Sequence, residues 1–202
     1  MPNTIVCHYD MFMREYIENI IGKNIPDSDW NLLSEIIEHE ELPKGQLLLK
    51  EGQICKHIWY LKEGAVRFFE NVNGDYRTTH FFMEPSMFTV YHSLITGAPS
   101  ELHIEATSDL IMEALPYDQL KMRYDQSHTL ERVGRIMAEY QFISELNRRR
   151  MLLNMDALER YEFLESNQPE VFQKFQLKDI ATYIGITPVS LSRLRKYRLD
   201  RK

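Results

Sequence analysis

The chain has 202 residues, 44% hydrophobic and 27% charged, with 30 acidic against 24 basic side chains and a formal charge of −6. This composition supports a real core in one large domain, or in a medium and a small one, and excludes a disordered chain. No run approaches the ~18–20 apolar residues of a membrane span, and MPNTIVCHYD lacks the basic start and apolar core of a signal peptide, so a cytoplasmic protein without membrane contact is expected. The two cysteines, Cys7 and Cys55, are too few for a disulfide framework or a four-cysteine iron–sulfur site and read as ordinary thiols of a reducing compartment.

Residues 9–39 read as helical. Met11, Tyr16, Ile17, Ile20 and Ile21 form an apolar stripe that ends near Gly22. Pro26 with Asp27 or Ser28 opens a second helix, along which Trp30, Leu33, Ile36 and Ile37 recur at helical spacing.

From Glu41 to about Pro116 the period changes. The short apolar runs LLLK, IWYL, AVRFFE, THFFM, LHIEA and LIMEAL are separated by Gly45, Gly52, Gly64, Gly74 and Gly97. Alternation with regularly spaced turn glycines indicates short antiparallel strands in a roll or barrel. Asn73-Gly74 is the strongest hairpin signal, because both residues tolerate positive φ. Such a roll encloses either a ligand pocket or a plain core, and periodicity does not decide between them.

After Pro116 the helical period returns. Tyr117 to Tyr124 reads as a short helix, and Ser127 or His128 starts a long one reaching past Arg150. Its apolar face holds Leu130, Val133, Ile136, Met137, Tyr140, Ile143 and Leu146, wide enough to cover the roll and also pair with a symmetry-related helix. Val133, Ile136, Met137, Tyr140 and Ile143 are the candidate dimer interface. Arg148, Arg149 and Arg150 are expected near the negative end of this helix. A further helix, roughly Asp156 to Ser166, leads through Pro169 to the last element.

That element is FQLKDIATYIGITPVSLSRLRK, from Phe175 to Lys196. Ile180, Ala181, Ile184, Ile186, Val189, Leu191 and Leu194 supply apolar positions for two short helices crossing closely at Ala181. Gly185 permits the left-handed turn between them, Thr187 caps the second helix, and Pro188 fits its first position. Helix, glycine turn and helix is the plan of a helix-turn-helix. From Phe175 to the end, Lys178, Arg193, Arg195, Lys196, Arg198, Arg201 and Lys202 face only Asp179 and Asp200, a net of +5 that leaves −11 on the first 174 residues. A basic end on an acidic body is the asymmetry of one module meeting phosphate.

Helix pair, roll, long helix and helix-turn-helix, in that order, resemble the family of the cyclic AMP receptor protein and the fumarate–nitrate regulator (Crp/Fnr). The likeness rests on LPKGQLLLKEGQICKHIWYLKEGAVRFF, with Gly45, Gly52 and Gly64, and on LKDIATYIGITPVSLSRLRK, down to Arg193. It implies an α+β chain with an N-terminal jelly-roll-like sensor (1–125), a long dimerisation helix (126–153) and a DNA-binding head (154–202). It also implies a homodimeric transcription regulator on a palindromic operator of double-stranded DNA, with RNA polymerase as a further partner of an activator. Thr187, Pro188, Val189, Ser190, Arg193, Lys196 and Arg198 are the implied DNA-contacting residues. The chain as given ends at Lys202, so the wing that many relatives carry after the recognition helix is not expected.

The departures from the family carry as much. Cyclic-nucleotide binders hold ribose and phosphate with a Gly-Glu pair and a later arginine, after a strand ending in phenylalanine. Here Val90 and Tyr91 follow Phe88 in place of Gly-Glu, and Ser100-Glu101 stands in place of the arginine. Phe88, Tyr91, Ser100 and Glu101 therefore mark a candidate effector pocket, but one without the cation a buried phosphate needs, and cyclic AMP is not expected. No cofactor or metal site is identified, His80, His92 and His103 being scattered histidines that leave haem ligation open. In the head, Pro188 and Val189 stand where some relatives read G·C pairs with arginine and glutamate, which leaves Arg193 as the candidate bidentate contact to guanine. Two other classes remain in view: a ligand-binding roll whose terminal helices dock a protein, and an enzyme. HExxH, HxH, GxGxxG and P-loop patterns are absent, so the chain is not read as an enzyme.

Overall fold

In the computed structural model, residues 10–199 are described. Cys7, Asp200, Arg201, Lys202 and the side chain of Met11 lie outside the described residues. Two helices, α1 (Asp10–Ile21) and α2 (Asp27–Ser34), precede eight strands: β1 (Glu38–Leu42), β2 (Leu47–Leu49), β3 (His57–Glu63), β4 (Ala65–Val72), β5 (Asp75–Met83), β6 (Ser86–Phe88), β7 (His103–Ala106) and β8 (Leu110–Pro116). The short helix α3 (Tyr91–Thr96) interrupts them between β6 and β7. Then follow α4 (Tyr117–Gln126), α5 (His128–Asn154), α6 (Ala157–Asn167), α7 (Val171–Lys174), α8 (Leu177–Tyr183) and α9 (Pro188–Leu199).

The strands form two four-stranded antiparallel sheets, ordered β1-β8-β3-β6 and β2-β7-β4-β5. Each of the six apolar runs falls in a strand. Alternation sends Trp59, Leu61, Val66, Phe68, Ile104, Met112 and Ala114 inward into one sandwich core, closed by Phe88 of β6. The β4–β5 hairpin turns on Asn73 (φ 55°) and Gly74 (φ 93°), the two-residue turn whose twist matches the strands. The opening differs from expectation at one point: the second helix stops at Ser34, and Glu38 and His39 belong to β1. That strand, EHEEL, is too acidic to read as a strand by hydrophobicity, and its charges suit an exposed sheet edge.

A second core lies outside the first sheet. Met13, Ile17, Trp30, Leu33, Tyr60, Leu115, Leu120, Leu130 and Val133 bury α1, α2, α4 and the start of α5 against it. Ser127 caps α5, its hydroxyl accepting from the Leu130 N–H at 3.2 Å. The helix runs on past the three arginines to Asn154, so they precede its last turn, and Arg148 lies over the Tyr183 ring at 4.4 Å. Two-thirds of the way along, Glu145 meets His80 of β5 at 2.7 Å, a hydrogen bond that holds the Glu145 carboxyl below its ordinary range.

The C-terminal helices form a third core on the outer face of the second sheet. Tyr161, Leu164, Val171, Phe175, Ile180, Ala181, Ile184 and Leu191 pack with Ala65, Phe81 and Met83 of the roll. Phe81 meets Phe175 and Tyr183 at ring separations of 4.1 and 5.0 Å. At the edge of this contact Arg67 of β4 donates to Asp179 of α8 and also to Glu105, with its guanidinium over Phe69 at 4.5 Å. Burial pushes the Asp179 carboxyl above its ordinary range even with Arg67 alongside.

Two predictions follow from this packing. At Gly64 (φ +106°) an added Cβ would sit 2.4 Å from the Asp109 carbonyl oxygen, whereas at Gly97 (φ +70°) it would meet open space. Gly64→Ala is expected to cost about 2–4 kcal/mol, from clash plus left-handed strain, and Gly97→Ala about 1 kcal/mol from conformation alone. Thermal unfolding of both variants checks this, and equal losses would refute the close approach at Gly64. Arg67→Ala strands a largely buried carboxylate and should cost about 3 kcal/mol, while Arg67→Met with Asp179→Leu should cost less. Hydrogen exchange of the α8 amides reads the docking directly, and a single variant as protected as wild type would show that Arg67 does not hold the head.

Candidate nucleic-acid interface

The turn between α8 and α9 is built as its residues dictate. Gly185 adopts φ +74°, a conformation open to glycine at little cost, and Ala181 is wholly buried where the helices cross. The Thr187 hydroxyl accepts from the Ser190 N–H at 3.1 Å, which caps α9, and lies 2.9 Å from the Ser190 hydroxyl. Leu191, buried, and Leu194, half-buried, turn one face of α9 inward. On the opposite side Val189, Arg193 and Lys196, at i, i+4 and i+7, share one exposed face with Ser190 beside it.

Arg198 belongs to the other side. It lies seven residues after Leu191, pairs with Glu165 and Glu162, and sits over the Tyr161 ring at 5.3 Å. The structure thus gathers Val189, Ser190, Arg193 and Lys196 on a solvent face and turns Arg198, half-buried, towards α6. Thr187 and Pro188, although exposed, look across a cleft of about 650 Å³ towards Asp75, Tyr76 and Arg77 of the β4–β5 hairpin.

The candidate interface on α5 also divides. Val133 is buried within the chain and Met137 packs beside it, whereas Tyr140 and Ile143 are exposed by 54% and 53% and Ile136 is half-buried. Phe142, Leu146 and Leu153 extend the exposed apolar surface along the same helix.

Of the four candidate pocket residues, Phe88 and Tyr91 line one cavity, and Ser100 and Glu101 do not. Phe88 is buried in the sandwich core against Trp59, Phe68 and Phe82. The Ser100 hydroxyl donates to the Leu102 carbonyl at 2.8 Å, and its backbone joins Gly52 and Gln53, so it fastens a loop. Glu101 is exposed. Tyr91 lines, with Phe88, a cavity of about 420 Å³ between α3, α4, α5 and the outer face of the first sheet. This cavity was not foreseen. Its signal in the sequence is the pair Gly134 and Ala138, two small residues four apart on a helix otherwise lined with Leu130, Val133 and Met137.

Among the described residues, no helix is long and apolar enough to cross a membrane, and no three His, Cys, Asp or Glu side chains stand together as metal ligands.

Residues 39–127 match the family model of the cyclic nucleotide-binding domain. No curated protein matches the chain by sequence. FixK2 from Bradyrhizobium japonicum is similar in structure with a TM-score of 0.66, at 17% identity, over 82% of this chain and 86% of that one. The c-di-GMP-responsive global regulator CLP of Xanthomonas campestris gives a TM-score of 0.66 at 14% identity, over 86% and 92% of the two chains. The catabolite activator protein of Thermus thermophilus gives 0.55 at 16% identity, over 90% and 87%. Residues 39–127 are thus similar to the cyclic nucleotide-binding domain, and the chain shares its wider fold with solved structures of Crp/Fnr-type regulators.

Proposed function

We propose that the chain is a homodimeric, sequence-specific DNA-binding transcription regulator of the Crp/Fnr type, with residues 1–125 as sensor, 126–153 as dimerisation helix and 154–202 as DNA-reading head. The observation that carries this reading is the exposed face of α9. A capped helix after a glycine turn presents Val189, Ser190, Arg193 and Lys196 to solvent, at the basic end of an acidic chain. Helix α9 is the recognition helix of a helix-turn-helix and enters the major groove. Arg193 reads guanine through O6 and N7, Val189 touches a thymine methyl, Ser190 bonds a base edge or phosphate, and Lys196 holds the backbone. The related structures bear the names of regulators, which agrees with this assignment.

Cyclic AMP is not its effector. Met87 to Ala106, the segment that would hold a cyclic phosphate, contains neither lysine nor arginine. Val90, buried, and Tyr91 occupy the positions of the Gly-Glu pair, and an anionic phosphate placed there would lack a counter-charge.

Selection of bound duplexes from a random DNA pool, at low and moderate salt, tests the reading. A palindrome with half-sites ~34 Å apart is expected. No binding even at low salt, where phosphate contacts are strongest, would sink it. On the selected site, Arg193→Ala should cost about 1–3 kcal/mol and relax preference at one base position. An unchanged affinity would remove Arg193 as a base reader. Ile143→Glu changes a residue exposed in the single chain, so the fold should survive while a two-fold helix contact fails on a buried carboxylate. Light scattering should report a monomer, and a persistent dimer would place the interface elsewhere.

A further inference from the structure

The cavity beside α5 is set apart from both the sandwich interior and the head. Its wall is the roll-facing side of α5, where Ala138 leaves a hollow that a larger residue would fill and Gly134 makes room for a neighbouring ring. A Cβ on Gly134 would lie 2.4 Å from the Tyr124 hydroxyl oxygen, so the glycine is what lets that phenol lie against the helix.

We propose that this cavity binds a neutral, mainly apolar ring compound carrying a hydrogen-bond acceptor. About 420 Å³ falls within the ~300–1,000 Å³ of small-molecule sites, which are typically apolar with a few placed polar groups. The placed groups here are the phenols of Tyr91, Tyr117 and Tyr124. Among the described residues none of these hydroxyls has a hydrogen-bond partner within the chain, although all three line one apolar space. Burial holds the Tyr124 phenol far above the ordinary tyrosine range, with Tyr117 and Tyr91 adding to it, so it stays protonated and can donate. An acceptor atom on a ligand would satisfy these donors.

The charge of the ligand follows from what else faces the space. Arg135 is turned to Glu139 in an exposed ion pair, and Glu131 adds an anion at the rim. Gln141 donates to Glu145 at 3.2 Å. A carboxylate or phosphate in the hollow would therefore lie among phenols and methyl groups, with Arg135, already paired with Glu139, as the one lining cation among the described residues and Glu131 opposing it, which disfavours anions by desolvation. Apolar side chains (Met137, Ile95) beside the tyrosine rings suit a ring instead.

The test uses the full chain and two naphthalene probes: Prodan, a neutral ketone, and 1-anilinonaphthalene-8-sulfonate, an anion. Prodan should bind saturably at one site per chain and at least tenfold more tightly than the sulfonate. Ala138→Phe, which fills the hollow, should weaken Prodan at least tenfold. Ile95→Trp, on a residue 48% exposed and so safe for folding, should narrow the mouth and weaken it as well. Tyr117→Phe keeps the shape and removes one donor, for an expected loss of about three- to tenfold. Absence of saturable Prodan binding, equal or tighter binding of the sulfonate, or unchanged affinity in Ala138→Phe and Ile95→Trp would overturn the proposal. None of these readouts involves DNA, so the site stands or falls independently of the recognition-helix assignment.

Discussion

Strands β4 and β5 of the second sheet pack against a core on each of their faces, and this constraint organises the molecule. Inward, Val66, Phe68 and Phe82 fill the sandwich, while outward, Ala65, Phe81 and Met83 join the core of the C-terminal helices. Strand alternation makes the two sets inseparable, since a one-residue slip would exchange them. A β-bulge between Phe68 and Phe69 adds twist where Arg67 leaves the sheet to reach Asp179. The head is thus an outer layer of the roll as well as the end of the chain. Its orientation is set by a few aromatic contacts and one desolvated ion pair rather than by the linker alone.

Helix α5 joins the parts by having two unlike faces. Towards the roll it offers Leu130, Val133 and Met137, broken by the hollow at Ala138 and by Gly134, against which Tyr124 lies. Away from it, Tyr140, Ile143, Leu146 and Leu153 remain in water, a cost in free energy that a second helix would remove. One helix therefore forms both the wall of a cavity and an unpartnered apolar stripe. Displacement of the wall moves the stripe, because a helix transmits rotation along its length. The hydrogen bond from His80 to Glu145 ties the same helix to the hairpin that faces the head.

How far the sequence was legible depended on whether a residue's role was local. The Asn73-Gly74 turn, the Ser127 and Thr187 caps and the Gly185 turn are each decided within four residues, and each was readable. Strand β1 was not, because Glu38–Leu42 is held by its pairing with β8 some seventy residues away rather than by its own hydrophobicity. The division of the α5 stripe was equally hidden. Periodicity places Val133 and Ile143 on one broad face, but only the position of the roll decides that Val133 is covered and Ile143 is not. The three phenols come from α3 and α4: Tyr117 and Tyr124, seven residues apart, share one face of α4, but no spacing in sequence announces that Tyr91 meets them.

Arg193 and Arg198 show where a finer reading of period would have sufficed. Both are basic residues of α9, five positions apart, and net charge treats them alike. Five residues on a helix of 3.6 per turn is a rotation of about 140°, so they cannot share a face. Leu191 fixes which side is inward, and Arg198 follows it by seven residues, nearly two full turns. Its pairing with Glu165 and Glu162 and its stacking on Tyr161 are consequences of that angle. Charge therefore says that this end of the chain favours an anion, but the helical angle says which cations can reach it. By that criterion the basic face that α9 leaves open to solvent is the one that Arg193 and Lys196 share with Val189.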